Sequence, residues 1–342
     1  MKAKALNFGK AMSAALFVLL LVVAGSKNAL AQTQVATLQH GDDVSVYYGT
    51  NAFVEAHTAA QTGDIITLSS GTFVPCELNK AITLRGAGCA IDTVANTNPT
   101  IFGGTIELNV ADTANFLTIE GILFTNDVKY RTLYTPEFNR CSFTRVGALS
   151  GSGMHNAQFV NCIIDSFNFS YAPNTVLINS VVWQPSFSNG SPVVLNNSII
   201  KFPTTSNTFS LSAYNSVVIK PSGSYGPSTN CTFVNCIGIR LYTNQTSPFG
   251  QGYSTGCTTY TSYEEVFESF TGDFSLDEQF VLKDEIATGF LGSDGTQVGI
   301  YGGILPYSSR PAYMVLKRCN VASRSTIDGK LSVDIEVVTE EE

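Results

Sequence analysis

The sequence predicts an all-β chain wound as a single-stranded right-handed parallel β-helix, with a capping helix at its N-terminal end and a C-terminal extension. Three observations predict it. A position held by Cys or Ser recurs at 141, 162, 180, 198, 216 and 236, in steps of 21, 18, 18, 18 and 20 residues. The same short motif surrounds each recurrence, as in Phe159-Val-Asn-Cys-Ile-Ile164, Leu177-Ile-Asn-Ser-Val-Val182 and Ala213-Tyr-Asn-Ser-Val-Val218. Composition agrees, because only 13% of residues are charged while Asn, Ser, Thr, Gly and β-branched residues abound, which suits short strands joined by turns.

A repeat of about 20 residues holding short strands and no helical period describes coils of a solenoid. One coil cannot bury its apolar side. Stacking coils about 4.8 Å apart pairs their strands in parallel and closes a continuous core. Asn161, Asn179, Asn197, Asn215 and Asn235 then form a structural ladder at a tight bend, where a short amide tolerates unusual backbone angles and can bond its neighbours. The adjacent Cys and Ser are small enough to point inward. Thr118-Ile-Glu-Gly-Ile-Leu123 reads as one coil earlier, with Gly121 at the Cys/Ser position and Glu120 at the Asn position.

The elements follow in chain order. Residues 1–31 read as a signal peptide, with Lys2, Lys4 and Lys10, an apolar run from Ala14 to Gly25, and an Ala29-Leu30-Ala31 cleavage site. That run is short for a transmembrane span, and no cysteine near the cleavage point offers a lipid anchor. The expected compartment is therefore outside the cytoplasm: periplasmic, cell-surface or extracellular. Residues 32–62 hold an N-terminal strand and the capping helix, Asn51 to Ala60, with His57 in a structural role. Residues 63–260 form the coils, beginning with Ile65-Ile-Thr-Leu68 and Ile82-Thr-Leu-Arg-Gly86. Residues 261–342 form a C-terminal cap and extended tail, with a short helix expected at Tyr263 to Phe270 and an exposed strand at Leu331 to Val337.

The opening Gly63-Asp-Ile-Ile-Thr-Leu-Ser-Ser-Gly-Thr-Phe73, followed by Ala81-Ile-Thr-Leu-Arg-Gly-Ala-Gly88, resembles the start of right-handed β-helix proteins of the pectin-lyase-like superfamily. The ending Gly292-Ser-Asp-Gly-Thr-Gln-Val-Gly-Ile-Tyr-Gly-Gly303, with Pro306-Tyr307, is similar to the tail of secreted β-helix proteins from Bacteroidetes. The resemblance implies a fold and leaves the activity open, since that superfamily mixes lyases, hydrolases, esterases, adhesins and phage spikes.

Composition narrows the chemistry. Without the four lysines of the leader, 15 basic residues face 27 acidic ones, a net charge of −12 that argues against nucleic-acid binding. The eight cysteines include no CxxC pair and the chain has three histidines, so neither a metal site nor a cofactor is expected; Cys76 with Cys89 is the best candidate disulfide. Between residues 138 and 260 the one acidic residue is Asp165, which disfavours a hydrolase needing paired carboxylates and a calcium-dependent lyase needing a carboxylate cluster.

The basic residues suggest more. Counted from the Cys/Ser position, Asp165, Trp183 and Lys201 fall three residues on, and Arg145, Lys220 and Arg240 four residues on. Stacked in register they would line one outer edge, a ligand-binding row for an acidic polysaccharide held by charge and stacking. The bland alternative is charge scattered at strand ends for solubility. A catalytic version, a polysaccharide lyase acting on uronates, would use Lys201, Lys220 or Arg145 as the base of a β-elimination. Ile122, Ile163, Val181, Ile199, Val217 and Ile237 follow the inward Cys/Ser and should face outward as an apolar ridge. Either the C-terminal segment covers that ridge, the favoured reading, or a protein partner does, which would make the chain a structural or adhesive element. Asp92-Thr93-Val94 and Asp112-Thr113-Ala114 match a short pattern for O-glycosylation at Thr93 and Thr113 that the Bacteroidetes resemblance implies.

Overall fold

A computed structural model describes residues 34–93, 97–187, 192–202, 210–221, 227, 229–242 and 247–310, together with the backbone of strands Val315–Val321 and Val333–Val338. The signal peptide expected at residues 1–31 lies outside the described residues. The chain winds into a parallel β-helix of about nine turns. Each coil contributes one strand to each of two sheets. One sheet runs from Ile65–Leu68 through Glu137–Asn139, Gln158–Val160 and Thr175–Ile178 to Tyr253–Thr255; the other runs from Gly71–Phe73 through Ser142–His155 and Ile163–Asn168 to Thr258–Tyr260. Among the described residues no helix is long and apolar enough to cross a membrane.

The repeat works because each coil turns the same corner with the same backbone. Asn161, Asn179, Asn197, Asn215 and Asn235 all have φ between 47° and 54°, the left-handed region where Asn and Gly are tolerated and most residues are strained. Gly121 and Gly256 hold the equivalent place at either end of the series, with φ of 66° and 64°, and Arg140 holds it at 51°. Each corner N–H donates to a carbonyl of the next coil, as Asn179 N does to Asn196 O at 3.0 Å. The next residue points inward. Ser180 Oγ accepts from Cys162 N and donates to Ile178 O, and Ser198 and Ser216 continue the series; Cys141, Cys162 and Cys236 fill the same slot, fully buried. A small polar or thiol group here satisfies backbone groups that an aliphatic side chain would leave unpaired. Beyond it the core is phenyl rings stacked at strand spacing, Phe138 on Phe159 at 4.7 Å and Phe124 on Phe143 at 4.8 Å.

Pairing corrects the register of the earliest coil. Glu120 pairs with Asn139 and Leu123 with Ser142, so Gly121 stands opposite Arg140 at the corner and not at the Cys/Ser position. Glu120 is thus not the Asn equivalent; it sits one residue earlier, 3.6 Å from Arg140 across the stack. Ile122 moves with it, from the expected outer ridge into the interior core. A one-residue slip exchanges the faces of a strand. Cys257, after Gly256, extends the inward ladder by a coil that the sequence reading missed.

At the N-terminal end, strands Val35–His40 and Asp43–Tyr48 run as an antiparallel pair onto Ile65–Leu68. Helix α1 (Ala52–Ala59) packs on these strands, with Phe53 against Phe102 at 4.9 Å. His57 is buried beside Cys76. Cys76 and Cys89 are both free thiols, so the expected disulfide is not formed.

The C-terminal segment departs from the expectation most. Tyr263 to Phe270 forms turns rather than a helix, and the short helix present is α2 (Asp284–Gly289). Among its described residues, 261–310, the segment does not close the end of the solenoid. It returns along the flank as a strap: residues 292–299 meet Asn215, 297–303 meet Asn197, 300–302 meet Asn179, and Arg310 reaches Asp92 near the first coils. The tail strand Val333–Val338 is present and pairs antiparallel with Val315–Val321.

Candidate functional site

Stacking in register divides the predicted basic row. Ile164 pairs with Val182 and Val182 with Ile200, which sets Asp165, Trp183 and Lys201 in one file. Lys201 pairs with Ile219, so Lys220 opposite Arg240 belongs to the neighbouring file, and Arg145 pairs with Ser166. The side chains are also engaged. Arg145 sits 3.6 Å from Asp127 and is 62% exposed, and Gln184 donates to Asp165 at 2.9 Å. Lys201 places its ammonium 4.1 Å from the Trp183 ring centre. Trp183 is no open platform: it is 5% exposed, stacked on Phe274 at 5.2 Å and edge-on to Phe270. Its neighbours lie some 90 residues away in sequence, which is why the sequence reading set it on the surface.

Burial lowers the Lys201 pKa, with Asp165 pulling it back up; Lys220 is lowered by burial and then by Arg240. A depressed lysine is what a base for β-elimination requires. Lys220, however, is 1% exposed, so a polymer has no route to it in this conformation.

The ridge is where the strap lies. Ile163, Val181, Ile199, Val217 and Ile237 are buried against Val266, Phe267, Phe280, Leu282, Val298 and Ile300. At about 1.5–3 kcal/mol for each fully buried Val or Ile, this outer seam is a second core. Of the ladder asparagines, expected to bond one another, Asn179, Asn197 and Asn215 bond the strap instead. Asn179 Nδ2 donates to Ile300 O and Gly302 O, both at 2.7 Å, and Asn215 Oδ1 accepts from Ser293 N at 2.9 Å. Gly302 lies so close to Asn197 that any Cβ would collide with its amide.

This grip builds a cleft that the sequence reading did not single out. Between the loop at 87–93 and the strap is a cavity of about 470 Å³ lined by Ile91, Asp277, Glu278, Gln279, Tyr301, Tyr307, Ser308 and Arg310 among others, with an adjoining hollow of about 190 Å³ that shares Ile91, Gln279 and Arg310. Both lie in or near the size range of small-ligand sites. Asn179 holds Tyr301 from both sides, through the carbonyls of residues 300 and 302. Tyr307 N donates to Ile300 O at 2.7 Å, and the two tyrosine rings meet edge-on at 6.0 Å. Arg310 Nε pairs with Asp92 at 3.2 Å and ties the strap's end to the loop. Burial pushes the Tyr301 hydroxyl up to about 12, with the Glu278 charge adding to it, and raises Tyr307 well above the ordinary tyrosine value for the same first reason. Both hydroxyls therefore stay protonated and can donate. The one signal for this site in the sequence was the glycine-rich run Gly292 to Gly303, which holds Tyr301, and the following Tyr307.

Elsewhere, Thr93 and Thr113 are both exposed, Thr113 in a turn that Asp112 holds by accepting from Ala114 N and Asn115 N. Cys76 Sγ lies 3.7 Å from His57 Nδ1, but burial lifts the thiol to about 11 and lowers the imidazole to about 4, which keeps both neutral and unreactive. Lys80 donates to the carbonyls of His57, Thr58 and Ala60 at the end of α1. Among the described residues no three His, Cys, Asp or Glu side chains gather as a metal would require. No protein-family model and no curated protein matches the chain.

Proposed function

We propose that the chain is an exported β-helix protein of the pectin-lyase-like kind that binds glycan in the strap cleft, without an enzyme's catalytic constellation. The observation that carries this reading is the meeting of two tyrosines with Asp277, Glu278, Gln279 and Arg310 around one cavity. A pyranose ring presents C–H faces to aromatic rings and hydroxyls to planar carboxylate, amide and guanidinium groups, and the cleft offers both. Asp277 and Glu278 would repel a polyuronate, and Arg310 is already paired with Asp92, so this site suits a neutral sugar chain better than the acidic polysaccharide that the basic row suggested. The leader supports export, and the opening and closing motifs support the kinship.

A panel of neutral and acidic glycans tests it. Binding to neutral members, weakened at least tenfold by Tyr301→Ala and insensitive to salt, is the expected result. Binding confined to acidic members, lost at high salt and in Arg145→Ala with Lys201→Ala, would return the site to the basic row. The lowered pKa of Lys201, which is only half-buried and stands in file with Asp165, favours a second reading, a lyase acting through Lys201. Ultraviolet absorbance from unsaturated products on uronate substrates, abolished in Lys201→Gln, would establish that reading, and silence across the panel would dismiss it.

A further inference from the structure

Cysteine fills the inward corner position on two successive coils in two places, Cys141 with Cys162 and Cys236 with Cys257. Ser142 pairs with Ile163 and Ile237 with Thr258, so the residues just before them stack one above the other. Neighbouring strands lie about 4.8 Å apart, inside the Cα separation of roughly 4.4–6.8 Å that a disulfide spans. All four thiols are free. The two pairs differ in access. Cys141 and Cys162 are fully buried, with coils on both sides. Cys257 is half-buried and belongs to the last coil, whose strands Tyr253–Thr255 and Thr258–Tyr260 end both sheets among the described residues. The Cys236 N–H donates to its sulfur at 3.4 Å, a contact that favours thiolate. Hydrogen bonding by the Cys236 side chain lowers the Cys257 pKa below the ordinary thiol value, against the opposing effect of burial, while burial raises Cys236 well above it.

We propose that Cys236 and Cys257 are an oxidation site, a dithiol that a small-molecule disulfide converts into a cross-link between the last two coils. The Cys257 thiolate attacks one sulfur of the oxidant, forms a mixed disulfide and releases the other sulfur as a thiolate, which takes up a proton. Cys236 Sγ, which donates to Ala213 O at 3.3 Å, turns from it, gives its proton to solvent and attacks the Cys257 sulfur. The second half of the oxidant leaves as a thiolate and is protonated. Two electrons pass from the cysteines to the oxidant, and one sulfur–sulfur bond joins the coils. A terminal coil pairs on one side only and opens first, so a link between residues 21 apart holds it to its neighbour. Export, as proposed above, would carry the chain to such oxidants, but the chemistry needs the oxidant alone.

Incubating the full, reduced chain with oxidised glutathione at mildly alkaline pH tests the site. Serine already fills this position at Ser180, Ser198 and Ser216, so Cys236→Ser and Cys257→Ser should fold. Peptide mass spectrometry is expected to find Cys236 bonded to Cys257 while Cys141 and Cys162 stay reduced. Cys236→Ser should stop at a lasting mixed disulfide of Cys257 with glutathione, and Cys257→Ser should leave Cys236 unmodified. Oxidation should also slow amide exchange across Thr258–Tyr260 at least tenfold, and a reductant should restore it. Reaction of Cys257 no faster than that of Cys141, a mixed disulfide that Cys236 never resolves in the unaltered chain, or a cross-link through Cys231 or Cys319 instead would overturn the proposal.

Discussion

Ser180, Ser198 and Ser216 sit beside Val181, Ile199 and Val217 in sequence, yet the two sets belong to different cores. The serines face a core closed by repetition, where each coil supplies what the next one needs. The aliphatic residues face a seam closed by a segment that repeats nothing and arrives from 50 to 140 residues further along the chain. The inner core is therefore as cooperative as the solenoid itself, whereas the outer seam holds only as well as the strap docks.

That difference can be broken at neighbouring residues. Val218→Asp buries an unpaired carboxylate inside the coils, costs on the order of 4–5 kcal/mol, and should abolish the cooperative β signal in circular dichroism. Val217→Asp, one residue earlier, should keep the coil signal while the strap lifts, seen as protease cleavage within 263–307 and new dye binding. Equal collapse in both variants would mean that the strap and the coils are one unit.

A smaller effect separates the two duties of Asn179. Asn179→Gly keeps the corner conformation but removes two hydrogen bonds to the strap, a loss of about 1–3 kcal/mol. Asn179→Ala adds the cost of a left-handed residue, about 1–2 kcal/mol more. Only the part lost in the glycine variant should raise strap exchange and weaken glycan binding at Tyr301.

Acid should act through α1, away from both seams. The folded-state pKa of His57 falls from 6.5 to about 4, so between those values the unfolded chain binds the extra proton and stability drops as pH falls; above 6.5 the residue contributes nothing either way. The loss by pH 4 is on the order of 2–3 kcal/mol, and His57→Gln should flatten the curve measured by urea titration. Smallest of all, Arg145→Ala removes an exposed ion pair to Asp127 and should shift stability by less than about 0.5 kcal/mol.

The coils were legible because period is a global signal that survives substitution at single positions. Its failures were local. At the corner Gly and Asn are conformational equivalents, so matching Cys/Ser by letter placed Gly121 one residue late and carried Ile122 to the wrong face, and the Gly256 coil went unread. The outer ridge was legible as an unmet need for cover, and its cover by 263–307 is what the structure shows. The basic row was spaced correctly but judged without the strap, which buries Trp183. The cleft was out of reach, because Tyr301, Glu278 and Arg310 share no period and meet the loop at 87–93 only through long-range docking.

Hydrogen exchange at the Gly299 amide tests the docking of the strap most directly, since that N–H donates to Asn215 O at 2.8 Å across the seam. Protection of Gly299 and its neighbours well above unfolded-chain rates, lost in Val217→Asp while the amides of Asn179 and Asn197 stay protected, is the predicted result. Exchange of Gly299 at the unfolded-chain rate in the unaltered protein would contradict the seam and the cleft built on it.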